Sequence, residues 1–130
     1  MYQLDPNSLV PIYQQIEQQT IKYIMLDILK PHQSLPSVRN LSRQLGINPN
    51  TVQKAYQDLE KQGYIYLIAG KGAYIADSTE SKNVFTKDMK IKLQQHIRKL
   101  RSFGVSEQMI LDTISECFME VENDSDPSIE

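Results

Sequence analysis

Cysteine occurs once in the 130 residues, at position 117, so the chain can neither close an internal disulfide nor assemble a cysteine-rich zinc site by itself. The apolar neighbours of Cys117 favour a buried core thiol over a redox sensor. Histidine is nearly as scarce: His32 and His96 stand far apart, and no HExxH, Gly-x-Ser-x-Gly, phosphate-cradling glycine loop or paired-carboxylate signature accompanies either. We therefore expect no enzyme, no metal and no cofactor, and assign His96 no site. Long apolar runs are missing too. Stretches such as Tyr64 to Ile68 fall far short of the roughly 20 residues that span a bilayer, and Met1 to Val10 has no basic start followed by an apolar run. The expectation is a cytoplasmic protein without membrane contact.

A basic excess is also lacking, since the net charge is −2. Nucleic-acid-binding domains usually carry the opposite sign. The charge is unevenly spread, however. Through Ala76 seven basic side chains face five carboxylates, a net of +2, which leaves −4 for the remainder. Much of that lies in a tail where Glu120, Glu122, Asp124, Asp126 and Glu130 follow one another without a Lys or Arg. Residues 123–130 are expected to be solvated and disordered.

What is present is a succession of short, well-punctuated elements. From Pro11, apolar residues at Ile12, Ile16, Ile21, Ile24, Met25 and Ile28 predict an amphipathic helix to about Leu29, closed by Lys30-Pro31. Ser37 is a suitable N-cap for a helix carrying Val38, Leu41 and Leu45, with Gly46 as its stop. Asn48, with Pro49 at the first helical position and Ile47 placed to staple onto Val52, opens a third helix that runs to Gln62 and ends at Gly63. Period-2, β-branched and aromatic character follows, with Tyr64 to Ile68 and Ala73 to Ile75 flanking Ala69-Gly70-Lys71-Gly72 in a two-stranded hairpin. Helix, helix, tight turn, helix, hairpin is the layout of a winged helix-turn-helix, assigned to residues 1–76. The polar, aperiodic segment 77–83 reads as a linker. Over 84–122 two more helices are predicted, one with Phe85, Met89, Leu93, Ile97 and Leu100 on a stripe ending near Gly104, and one opened by Val105 and Ser106 with Ile110, Ile114, Cys117, Phe118 and Val121 on another. A hairpin of two such helices cannot bury both stripes alone, so they are assigned to dimerisation with a second copy. The fold class is thus mainly α, a winged helix-turn-helix followed by a two-helix dimerisation hairpin.

On a wheel of about 100° per residue the third helix separates Val52, Ala55, Tyr56 and Leu59 from Asn50, Gln53, Lys54 and Gln57. Amides and an ammonium match base edges in a major groove: Asn and Gln pair bidentately with adenine, and Lys donates to guanine or phosphate. The same face could also be merely solvated. Arg39, in the first turn of the second helix, suits a phosphate clamp at a positive helix end, or else a surface pairing with a carboxylate. Gly70-Lys71-Gly72 serves a wing tip that approaches the sugar-phosphate chain, or simply a turn needing positive φ.

The motifs Pro11-Ile12-Tyr13-Gln14-Gln15-Ile16, Leu35-Pro36-Ser37-Val38-Arg39-Asn40-Leu41, Asn48-Pro49-Asn50-Thr51-Val52-Gln53-Lys54-Ala55-Tyr56 and Gly70-Lys71-Gly72 resemble the GntR family of transcription regulators. The short helical C-terminus is similar to the YtrA-like subfamily, whose members often regulate transporter genes. The resemblance implies a homodimeric repressor that binds double-stranded operator DNA through its second and third helices and its wing. It places Arg39 at the family's phosphate- or base-contacting arginine, Asn50, Thr51, Gln53 and Lys54 at its recognition-helix contacts, and Gly70 and Gly72 at its wing. With Ser37, Asn48, Gln57 and Lys71 these make up the expected DNA-binding set. Two departures stand out. His32 occupies a position where the loop usually has Gly after Pro, and Pro49 and Gln53 replace arginines of some members. The alternative is a winged-helix protein-interaction module, but such a module should present aromatic or aliphatic anchors, and this helix face offers none. A small-molecule effector, if one binds, is expected near Tyr13, Phe85 or Met89, at a dimer interface or between the two parts.

Overall fold

The computed structural model describes residues 1–121, with side chains through residue 120. The expected acidic tail at 123–130 and the Val121 side chain lie outside the described residues. The elements are α1 (Ile12–Met25), β1 (Ser34–Leu35), α2 (Val38–Leu45), α3 (Pro49–Lys61), β2 (Ile65–Ile68), β3 (Gly72–Ile75), α4 (Thr79–Ser102) and α5 (Glu107–Val121). They fall into two compact units, Met1–Lys82 and the residues beyond.

In the first unit the apolar faces of three helices and the inner face of a small sheet enclose one core. Ile16 and Ile24 of α1, Leu41 of α2, Val52, Tyr56 and Leu59 of α3, and Ile75 of β3 are all essentially inaccessible to solvent. The caps sit where local chemistry requires them. Ser37 Oγ accepts from Asn40 N at 3.0 Å, and Asn48 Oδ1 accepts from Asn50 N at 2.8 Å with Pro49 following at a position that needs no N–H.

The structure differs from the sequence reading in several ways. Helix α1 stops at Met25 instead of reaching Leu29, because Asp27 turns left-handed (φ 58°) and the N–H groups of Ile28 and Leu29 both return to the Tyr23 carbonyl. Leu29 still enters the core, but from a loop. The wing has three strands, in the order β1-β3-β2, all antiparallel, with Ser34 opposite Tyr74 and Tyr66 opposite Tyr74 on the other side. The chain reaches β1 through a turn closed by Gln33 N to Lys30 O at 3.1 Å, with Pro31 and His32 at its centre. His32 adopts φ 69° there, which explains why glycine usually fills this position; its Nδ1 lies 3.0 Å from the Tyr66 hydroxyl.

Residues 1–10 hold a feature that periodicity gives no hint of. Gln19 uses both ends of its amide on the backbone of Gln3 (2.9 and 2.7 Å), and Gln15 does the same with Asp5 (2.8 and 2.9 Å) while also donating to Val10 O. Four helical residues rise about 6.0 Å and two extended residues about 6.6 Å, so the two amides match alternate peptides of an extended strap. This is why two glutamines are buried in α1.

The segment 77–83 is not a linker over most of its length. Helix α4 begins at Thr79, with Asp77 Oδ1 accepting from Thr79 N and Oγ1. The polar side chains around this start are committed: Ser78 Oγ donates to Tyr64 O at 3.3 Å, Ser81 Oγ donates to Gln62 O at 2.7 Å, and Lys82 Nζ pairs with the Asp27 carboxylate at 2.9 Å. Gly63 (φ 82°) leaves room for that contact, since a Cβ there would fall 2.7 Å from Ser81 Oγ.

In the second unit α4 and α5 follow one another as expected, and Ser106 Oγ caps α5 by accepting from Met109 N at 3.1 Å. They do not lie along each other, however, so the expected hairpin is not a packed one. No residue of α4 beyond Lys82 is buried, and none of α5 among the described side chains. Cys117, expected to be a buried thiol, is exposed.

Candidate nucleic-acid interface

The buried side of α3 fixes what its other side can do. Val52, Ala55, Tyr56 and Leu59 are locked into the core, and Tyr56 also donates its hydroxyl to Pro36 O at 2.7 Å, tying α3 to the residue before the α2 cap. Burial pushes the Tyr56 pKa up, so the phenol stays a donor. With that side fixed, Asn50, Gln53, Lys54 and Gln57 face solvent and Thr51 is half-buried. The side chains of Asn50, Gln53 and Gln57 have no hydrogen-bond partner among the described residues.

Two of the expected contacts are partly committed already. Ser37 Oγ and Asn48 Oδ1 both accept cap hydrogen bonds, which leaves the serine proton and the asparagine NH₂ to donate outward. Arg39 is exposed in the first turn of α2 and its guanidinium pairs with no carboxylate among the described residues. At the wing tip Lys71 N bonds to Ile68 O at 2.9 Å, with Gly70 (φ 78°) third in the turn, as a type II turn requires. The Lys71 ammonium is exposed and likewise unpaired among the described residues. Between these elements lies an open cleft of about 410 Å³ lined by Ser37, Val38 and Tyr56 on one side and by residues 67–73 on the other. A second cavity, about 70 Å³, sits between Ile24, Asp27, Ile75 and Ser78 and has room for water only. Tyr13, Phe85 and Met89, expected near an effector, line neither.

Lys54 is the exception on this face. Its Nζ is 3.4 Å from Asp58 Oδ2 and 5.0 Å from the ring centroid of Tyr13 in α1. Asp58 also interacts electrostatically with Glu17 of α1. Burial, and then the influence of Asp58, push the Glu17 carboxyl up to about 8, while Glu17 holds Asp58 below the usual range. Glu17 is therefore the member that keeps its proton. Its Oε1 is buried with no partner. The unfolded chain releases the Glu17 proton near the ordinary value of 4.5 and the folded chain keeps it to about 8. This group's stabilising contribution is thus complete below 4.5, declines across that window and is flat above it. Thermal melts should show that decline in the wild type and lose it in Glu17→Gln. An equal decline in both proteins would refute the assignment.

A three-helix core, a turn that presents one helix with an uncommitted amide face, and a glycine-tipped wing beside it together define a winged-helix DNA-binding regulator of transcription. Residues 12–75 match the model described as "Bacterial regulatory proteins, gntR family". The chain is 40% identical to the HTH-type transcriptional repressor YtrA of Bacillus subtilis (strain 168) over 93% of its own length and 95% of that protein's. The chain belongs to the gntR family, and it is a transcription regulator, not an enzyme. Among solved structures it is similar to a transcriptional regulator from Oenococcus oeni (TM-score 0.72, 32% identity, covering 91% of this chain and 99% of that one). It is also similar to the AraR DNA-binding domain in complex with operator ORX1 (TM-score 0.51, 30% identity, covering 57% and 92%). No helix among the described residues is long and apolar enough to cross a membrane.

Proposed function

We propose that the protein is a repressor that binds a two-fold operator as a homodimer, reading bases with α3 and gripping phosphates with Arg39 and Lys71. The observation that carries this reading is the solvent face of α3, where Asn50, Gln53 and Gln57 are exposed and have no partner within the described chain. Those side chains offer paired donors and acceptors to a major groove. The dimer is supported by the second unit. Met89, Leu93 and Leu100 of α4 and Ile114 and Phe118 of α5 are exposed on their helices, and a second copy covers them most economically. Sedimentation should therefore give a dimer at micromolar concentration. Half-sites should lie about 34 Å apart, or a multiple of that.

Arg39→Ala and Lys71→Ala test the phosphate contacts. In fluorescence anisotropy with promoter DNA each variant should bind more weakly, and each should flatten the slope of log affinity against log salt by about two units for a dimer, at about 0.9 per contact. An unchanged slope with eroded sequence preference would move that residue to the bases. An unchanged affinity would remove it from the interface.

A further inference from the structure

We propose that α4 carries a second, sequence-independent DNA-contacting surface, a stripe of Lys87, Lys90, Arg98 and Arg101 that holds the phosphates of duplex DNA. This rests on reading the protein as a DNA-binding regulator. Residues 1–76 carry a net charge of only +2, whereas residues 83–104 set six basic side chains against the single carboxylate of Asp88, a net of +5. The most cationic part of the chain therefore lies outside the winged helix. At about 100° per residue, Lys87, Lys90, Gln94, Arg98 and Arg101 fall within an arc of about 80° on α4. All five are exposed. Asp88 lies on another side of the helix, where it pairs with Lys92 at 3.2 Å, and the four cations of the stripe pair with no carboxylate among the described residues.

Like charges one turn apart on a helix repel, so α4 by itself gains nothing from this row. A polyanion laid along it does. The stripe from Lys87 to Arg101 is about 21 Å long at 1.5 Å per residue, and a duplex presents one phosphate for about every 1.7 Å of its axis. Ammonium and guanidinium groups bind phosphate oxygens whatever the base, so the surface adds affinity without sequence preference. The chain holds one polyanion of its own, since residues 105–130 carry eight carboxylates and no Lys or Arg. The helix faces argue against that segment of a second copy as the occupant. Asp112, Glu116 and Glu120 lie nearly opposite Ile110, Ile114 and Phe118 on α5, and the basic stripe lies beside, not on, the arc of Phe85, Met89, Leu93 and Leu100 on α4. A contact between copies that covers the apolar arcs turns the acidic face of α5 away and leaves the basic stripe open to an external polyanion.

Two charge-matched variants of the full-length protein test this. Arg98→Gln/Arg101→Gln removes two cations from the stripe, while Lys92→Gln/Lys99→Gln removes two from another side of α4 and leaves the stripe intact; glutamine keeps the helix propensity in both. Binding is followed by fluorescence anisotropy at several salt concentrations, with a random-sequence duplex and with DNA from the protein's own upstream region as probes. The stripe variant should flatten the slope of log affinity against log salt by about three to four units, at about 0.9 for each contact that two protomers lose. It should weaken binding to both probes by the same factor, at least about tenfold at low salt, and Lys92→Gln/Lys99→Gln should track the wild type. An unchanged slope in the stripe variant would overturn the proposal, and so would equal flattening in both variants, which would assign the effect to net charge. Sedimentation of the stripe variant as a monomer beside a dimeric wild type would overturn it as well and give the stripe to the acidic segment of a second copy. Arg39→Ala keeps the two readings apart. A slope that responds to Arg39 but not to Arg98 and Arg101 defeats this surface alone, whereas a wild type that binds neither duplex at any salt concentration defeats the DNA-binding reading together with it.

Discussion

Phe118→Asp combined with Ile114→Asp is expected to leave a folded monomer that binds promoter DNA some 10²–10⁴-fold more weakly than the wild type, the range that joining two binding modules confers. Both side chains are exposed on α5. A carboxylate at either position costs the chain nothing when alone, but it would be left unpaired in an apolar interface between copies. Sedimentation should move from dimer to monomer while the thermal melt of the winged-helix unit stays in place. A dimer that survives both carboxylates would place the interface elsewhere, and a monomer with undiminished DNA affinity would separate dimerisation from function.

The largest effect on stability is expected from Tyr56→Ala. This ring is 1% exposed in the core cluster, and its hydroxyl satisfies the Pro36 carbonyl. Truncating a buried aromatic residue costs about 3–5 kcal/mol, a large part of the roughly 5–15 kcal/mol by which domains are stable. Tyr56→Phe keeps the volume and loses only the hydrogen bond, which costs about 1–2 kcal/mol. Denaturant unfolding of the two variants separates these contributions. Equal losses in both would mean that the hydroxyl, not the ring, holds α3 in register with α2.

What the sequence made legible is what local chemistry specifies. The starts of α2 and α3 follow from Ser37, Asn48 and Pro49 because a cap needs only its own next three residues, and the faces of α3 follow from a period of 3.6. The wing turn follows from Gly70 for the same reason. Features that depend on distant partners were not legible. Two-residue β1 is a strand only because Tyr74 and Ala73 lie opposite it, 38 or more residues along the chain. The early start of α4 was hidden because serines that bond to Gln62 and Tyr64 have the composition of a linker. Gln15 and Gln19 broke the apolar pattern of α1 for a strap that no periodicity could reveal.

The candidate site divides in the same way. Exposure of Asn50, Gln53 and Gln57 could be read from the wheel, whereas the freedom of Arg39 and the engagement of Lys54 could not. Lys54 is engaged by Asp58 one turn further along α3 and by the Tyr13 ring across the interface between α1 and α3. His32 is the one anomaly that sequence exposed and structure explained, a non-glycine residue accepting a left-handed turn with its ring on Tyr66.

The most direct test of the central claim is a competition titration in which the purified protein binds labelled DNA from its own upstream region while unlabelled random duplex is added at several salt concentrations. The account predicts saturable, salt-sensitive binding with two protomers per site that excess random DNA does not displace. Equal displacement by random and upstream DNA at every salt concentration would contradict sequence-specific recognition by α3 and would bring forward a winged-helix module that works through a protein partner.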